Sequence, residues 1–214
     1  ARLTIYPVQY DNSNNTLRVH HQVIVKASHS GGDILPPDRI ISEAFYPIYN
    51  AILTNGSLID DAQLRRGGYW FIVHDNFIDD ITPLTEWKKA KGFDVRVYPL
   101  SDIGSNPSYS TIRTFILNEY NDAELKPDYI CLVGDASGYS SVNTYSYSNP
   151  YGMGYIDSDN YYTFLEGSDY FPELFIGRIA IDYTSELNNY INKHFGYERT
   201  PYMDETNWYH YATM

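Results

Sequence analysis

"PDYICLVGD", residues 127–135, runs from Tyr129 to Val133 without a charged or strongly polar side chain and ends on Gly134-Asp135. A strand with one wet face alternates apolar and polar residues, and this one does not. It is therefore expected to be buried on both faces, which is the situation of a strand inside a parallel sheet covered by helices on both sides. The preceding segments agree. "YWFIVHD" (69–75) is a second apolar run ending in polar residues, and "DVRVYPL" (94–100) reads as a strand with period two. Between the strands lie two helical patterns. In residues 79–93, Leu84, Trp87 and Ala90 share a face and Gly92 is the stop. In residues 108–122, Ile112, Phe115, Ile116 and Tyr120 form one stripe. Strand–helix alternation of this kind predicts an α/β fold with a parallel sheet. Ligand sites in such sheets lie beyond the carboxyl ends of the strands. Here those ends are His74-Asp75, the "PLSD" stretch and Gly134-Asp135.

Upstream, "LTIYPVQY" and "TLRVHHQVIVKA" are β-rich runs separated by the turn residues "DNSNN", a hairpin over residues 2–27. Residues 28–38 read as a Gly/Pro linker. Residues 39–56 have helical spacing, with Ile41, Phe45, Ile48 and Ile52 on one face and Asn55-Gly56 as the stop. A dibasic pair, Arg65-Arg66, then precedes two glycines. Downstream, residues 136–160 form a long Ser/Tyr/Gly/Asn loop, of a length usually tied to function. "YYTFLEG" and "ELFIGRIAI" read as strands, and residues 183–199 as a helix whose Leu187, Tyr190, Ile191 and Phe195 face inward, with Thr184 and Ser185 offering the cap. "WYHYATM" (208–214) reads as the opening of another buried strand. The expected division is residues 1–30, a β-hairpin; 31–67, linker and helix; and 68–214, an α/β subdomain.

The chain has 214 residues, a net charge of -12 and 43% hydrophobic residues, a globular composition. That charge argues against a nucleic-acid partner, because phosphate binding needs a Lys/Arg patch. No apolar run reaches the roughly 20 residues of a membrane span. The 23 tyrosines cover half-buried strand and loop surfaces, or alternatively line a carbohydrate- or peptide-binding surface. The single cysteine, Cys131, lies among Ile, Leu and Val and reads as an inert core thiol, since a nucleophile needs exposure and a nearby base. His74 stands at the sheet edge, where either a site or a strand cap is expected. Asp157, Asp159, Glu166, Asp169 and Glu173 crowd one short span. Such a run is ordinarily a solvated face, and calcium, which takes six to eight oxygens from carboxylates and carbonyls, is its sharper reading.

Taken together, "YWFIVHDNFIDDITPLTEWKKAKGFDVRV", "IRTFILNEY", "PDYICLVGD", "DSDNYYTFLEG" and "YFPELFIGRIAIDYTSELNNYINKHFGYER" resemble the gingipain-type cysteine peptidases, peptidase family C25, over roughly residues 68–200. The amino-terminal hairpin resembles the end of the prodomain that precedes such catalytic domains. The resemblance implies a parallel-sheet, caspase-like three-layer subdomain behind a prodomain remnant. It implies a His/Cys dyad at a "GHG"-like and an "AC"-like strand end beyond "FIGR"; neither motif occurs in this chain, so the fragment is expected to be inactive alone and to require the C-terminal catalytic subdomain of its parent chain as partner. It places Arg65, Arg66 and Gly67 near a pro/mature cleavage junction. It also implies calcium in the loop before "FIGR", held by the side chains of Asp169 and Glu173 and the carbonyls of Glu166 and Phe171, with Asp135 as a residue of a second ion or a loop hydrogen bond. Protein or peptide substrates and a secreted or cell-surface bacterial location follow from the same resemblance. A calcium-stiffened binding or scaffold domain, and a family member serving secretion or surface attachment, are the alternatives.

Overall fold

The structure is a computed structural model that describes residues 5–26, 41–52, 59, 61, 64–201, 203–204 and 206–210. By its contacts the chain divides into two compact units, Ala1–Pro37 and Asp38–Met214. The linker read over residues 28–38 and the Asn55-Gly56 helix stop lie outside the described residues.

In the first unit β1 (Val8–Asp11) pairs antiparallel with β2 (Thr16–Val19), with Asn15 at φ 50 in the turn. The pairing is shorter than the two predicted runs. Pro7 explains the limit: its carbonyl accepts from the His20 N–H at 2.8 Å, but it has no N–H to return, so the ladder stops there.

The second unit is built on four parallel strands, β5 (Gly68–Val73), β6 (Asp94–Pro99), β7 (Pro127–Val133) and β10 (Phe175–Ile179). Their order across the sheet is β10-β7-β5-β6. The period-two alternation of β7 and β5 sends alternate side chains to opposite faces, and each face meets helices. On one face Trp70, Ile72, Ile130 and Leu132 pack with Ile112, Ile116 and Tyr120 of α4 (Tyr109–Asp122). On the other, Phe71, Val73, Cys131 and Val133 pack with Leu84 of α2 (Thr82–Ala90) and Leu187 and Ile191 of α5 (Thr184–Glu198). The result is the three-layer α/β/α arrangement expected from the sequence. Ser108 caps α4 by accepting from Thr111 N–H at 3.2 Å, and Gly92 ends α2 at φ 89.

Several local expectations are corrected. Ile41 is not helical: β3 (Ile41–Ser42) pairs in parallel with β4 (Leu64–Arg65), and α1 covers only Tyr46–Ile52. Pro47 accounts for this, because proline is tolerated in the first helical turn and not in an interior. In α2 the buried face is Leu84, Thr85 and Lys88, while Ala90 is exposed. "YYTFLEG" is not a strand; residues Asp159–Tyr162 form a 3-10 turn. The long Tyr-rich loop contains an antiparallel hairpin, β8 (Tyr145–Ser148) with β9 (Tyr155–Ser158). A short α3 (Leu100–Ile103) follows β6 directly. Residues Asn207–Tyr209 form a 3-10 turn where a strand was expected, and 211–214 lie outside the described residues. Among the described residues, no helix is long and apolar enough to cross a membrane.

Candidate functional site

Parallel packing brings the carboxyl ends of β5, β6 and β7 to one edge. A cavity of about 460 Å³ opens there, lined among others by His74, Asp75, Ser101, Asn106, Tyr139 and Ser141. His74 extends the sheet by donating its backbone N–H to Val133 O at 2.9 Å, and its Nδ1 accepts from Asn76 N–H at 3.3 Å. Its ring therefore caps the 3-10 turn that follows β5 while bordering the cavity. Asp75 accepts from the Ser101 N–H at 3.1 Å and from the Ser101 hydroxyl, which ties the end of β5 to the start of α3. Asp135 turns inward on its own loop: its Oδ1 accepts from Ala136 N–H at 2.8 Å, and its N–H donates to Ile181 O at 3.1 Å. Among the described residues no Lys or Arg lines this cavity, and Asp75 is its one carboxylate.

Behind the edge stands a residue that sequence reading passed over. Arg178, the last letter of "FIGR", donates Nη1 to the carbonyls of Gly134, Asp135 and Val142 at 2.9, 3.0 and 2.8 Å. Its Nε and Nη2 form a two-point pair with Asp159 at 2.9 and 2.7 Å. Asp159 also accepts from Thr144 at 2.8 Å. One largely enclosed guanidinium thus gathers the loop after β7, the base of the Tyr hairpin and the 3-10 turn. The motif pieces "LVGD", "SDNYY" and "FIGR" meet at this point. The signal available in the sequence was an arginine placed inside an otherwise apolar strand.

The acidic loop lies just before β10. Glu173 Oε2 accepts from Leu165 N–H at 2.6 Å, and Glu173 N–H donates to Thr163 O at 3.0 Å, closing the loop at its base. Asp169 Oδ1 accepts from Phe171 N–H at 2.9 Å. The Glu166 carboxylate accepts from Tyr120 OH at 2.8 Å, which turns its side chain toward α4. Gly167 at φ 66 makes the turn possible. Tyr170 and Phe171 point into solvent. Among the described residues, no group of three or more His, Cys, Asp or Glu side chains is arranged to hold a metal, so an ion here would need backbone carbonyls to complete its shell. One oxygen each of Asp169 and Glu173 is spent on a backbone N–H and one remains, which fits that mixed donor set.

At the opposite edge of the sheet, Arg65 lies in β4 and Gly67 is buried, its N–H donating to Asp128 Oδ2 at 2.7 Å. Cys131 is buried and its thiol is pushed up to about 12 by burial, as an inert core residue requires. A further cluster, unseen in the sequence, joins α2 to α5. Glu198 accepts from Lys88 Nζ at 3.0 Å, from Trp87 Nε1 at 3.0 Å and from Lys91, and His194 Nε2 lies against it. The buried Lys88 is what rotates the face of α2 away from the predicted one.

Arg178 thus ties three loops of an α/β/α sandwich together at one point, and sequence comparison gives the class of the chain. The profile of peptidase family C25 matches residues 63–214, and the chain belongs to that family. It is 29% identical over 218 residues to Lys-gingipain of Porphyromonas gingivalis, covering 96% of this chain and 12% of that protein. It is 27% identical over 199 residues to gingipain R1 of the same organism, covering 90% of this chain and 19% of that protein. The crystal structure of the Arg-specific cysteine proteinase gingipain R superposes with a TM-score of 0.54 at 28% identity, over 62% of this chain and 29% of that one. The chain thus spans less than a third of each of these relatives.

Proposed function

We propose that this chain is the scaffold part of a secreted or surface-held bacterial cysteine endopeptidase with a caspase-like fold. The family match over residues 63–214, joined to a lone thiol that is buried, carries the reading. Peptide-bond hydrolysis then falls to a His/Cys dyad on a C-terminal subdomain outside these 214 residues. The thiolate would add to the scissile carbonyl, the imidazole would protonate the leaving amine, and water would release the acid. This piece alone is inactive on that reading, and its sheet edge supports the missing subdomain.

Calcium belongs to the same proposal. Asp169 and Glu173 side chains, with the carbonyls of Glu166 and Phe171, would hold the ion. The ion would stiffen the loop that leads into β10 and supply no chemistry. The placement of Arg65, Arg66 and Gly67 just before β5 supports a processing junction in that region. The exposed Tyr151, Met153 and Tyr155 on the β8–β9 hairpin favour a second reading, a binding or attachment surface.

The test is to express the whole gene product and this 214-residue chain side by side and treat both with a peptidyl chloromethyl ketone. Label on a cysteine other than Cys131 in the whole protein, peptide hydrolysis by it, and neither in the fragment are expected. A whole protein that neither labels nor hydrolyses peptides would transfer the reading to the scaffold and attachment class.

A further inference from the structure

The dibasic pair is by chemistry an open invitation to trypsin-like cleavage and both arginines are exposed, yet the fold ties down the backbone around the bond. Arg65 is paired in β4, and its carbonyl accepts from Glu43 N–H at 2.9 Å. The Arg66 guanidinium is held between Glu43, at 3.4 Å, and the ring of Phe93, 5.2 Å from its centroid, and donates to Lys91 O. The next N–H, of Gly67, donates to the buried Asp128 at 2.7 Å, and the N–H of Gly68 donates to Lys126 O at 2.9 Å. A Cβ on Gly67 would stand 2.4 Å from Asp128 Oδ1 and 2.7 Å from Lys126 O, so only glycine fits this close approach.

We propose that Asp128 latches the Arg65–Arg66–Gly67 segment onto the amino-terminal edge of the sheet, so that the Arg66–Gly67 bond is a cut site only while β4 is lifted away. A peptidase binds its substrate as an extended strand with free backbone on both sides of the bond. Every backbone N–H from Gly67 to Gly68 and the Arg65 carbonyl are already committed here. Cleavage therefore needs local opening, and its rate follows the population of the open form. Processing at this bond takes place before the segment docks or after the latch is released. The cut-site meaning rests on the junction reading above, but the latch does not: trypsin reports it whether or not natural processing uses the bond.

The experiment compares trypsin cleavage after Arg66 in the full 214-residue chain and in a synthetic peptide of residues 61–72, read by mass spectrometry of the new Gly67 terminus. The folded chain is expected to be cut at least about a hundredfold more slowly. Asp128→Ala should speed the cut in the chain by about tenfold to a hundredfold, the range expected for losing a charge-assisted hydrogen bond, while the bonds after Arg113 and Arg178 stay intact. Equal rates in chain and peptide, or no acceleration in Asp128→Ala, would overturn the latch. If Arg113 and Arg178 are cut in step with Arg66, that variant has unfolded and Asp128→Asn decides. Its amide oxygen can still accept from Gly67, so protection must return with it; continued rapid cutting at Arg66 alone would remove Asp128 from the role.

Discussion

Arg178 and Asp159 face each other through two N–H···O contacts, 2.9 Å and 2.7 Å, while the same guanidinium donates to three backbone carbonyls of the neighbouring loop. The Arg178 side chain is 10% exposed and the Asp159 side chain 21%. A pair this enclosed is judged by what its loss leaves behind: a half-buried carboxylate without its cation, and the carbonyls of Gly134 and Val142 without this donor, while the Asp135 carbonyl keeps the Val142 N–H at 2.9 Å. Arg178→Ala should therefore lower unfolding free energy by about 3–5 kcal/mol in urea titration. Arg178→Lys should recover little of it, because an ammonium lacks the fork that reaches Asp159 and the carbonyls together. A loss below about 1 kcal/mol would put the pair in the class of exposed surface bridges.

Two glycines in the family motifs make opposite demands. Gly134 sits at φ 140, and a Cβ there would lie 2.5 Å from Ser140 O and 3.1 Å from Val142 Cγ2. The clash is with backbone, which cannot swing aside. Gly134→Ala should cost about 2–4 kcal/mol and widen the cavity edge at His74. Gly177, inside "FIGR", has nothing within 4 Å of an added Cβ. Gly177→Ala should change stability by no more than about 0.5 kcal/mol. Thermal melts of the two variants side by side decide the matter, and equal losses would contradict the geometry.

The sheet was legible because its signals are local and repeated. Continuous apolar strands β5 and β7 and the stripe of α4 each follow from periodicity, and the parallel order follows from their alternation with helices. What the sequence hid depends on partners far along the chain. Lys88 lies off the helix face that Leu84, Trp87 and Ala90 were read to share, and its burial rests on Glu198, 110 positions away, with His194 and the Tyr69 ring beside it. Arg178 looked like one polar letter in a strand, and its meaning lies in Asp159 and the loop carbonyls. Ile41 matched a helical spacing, yet Pro47 and a two-residue pairing with Leu64 outweighed it. The acidic loop stood out by its crowded carboxylates and by the family resemblance, but that its base is closed by Glu173 and Leu165 could be known only from the fold.

Calcium should raise the melting temperature of the chain. At about a hundred times the dissociation constant, binding to the folded state alone is worth about 2.7 kcal/mol. For a domain of this size that is a shift of about 5 °C or more. Asp169→Asn is the informative variant. Its amide oxygen can still accept from Phe171 N–H, so the calcium-free melting temperature should hold while the calcium response disappears. Glu173→Ala should lose the response and also destabilise the calcium-free chain, because Leu165 N–H loses its acceptor. A melting temperature indifferent to millimolar calcium would remove the ion from the proposal.

The junction of α2 and α5 should make the fold acid-sensitive in two steps. Burial works against the charge of Glu198, but hydrogen bonds from Lys91, Lys88 and Trp87 outweigh it and hold the carboxyl down at about 2, below its ordinary 4.5. His194 is also lowered from its ordinary 6.5, by burial and by the ammonium of Lys88, against the pull of Glu198. Both groups therefore bind protons more weakly folded than unfolded. Stability from His194 is complete above pH 6.5 and begins to fall below it. Stability from Glu198 is complete above about pH 4.5 and is lost as pH drops from there toward about 2. Urea midpoints measured from pH 8 to pH 3 should decline in both windows. Other carboxylates add a background, so the difference from each variant carries the test. Glu198→Gln should flatten the lower window and His194→Gln the upper one. If Glu198→Gln declines below pH 4.5 as steeply as the parent chain, then the donors around Glu198 do not favour its charged form, and Lys88 owes its burial to packing of its methylene stem instead.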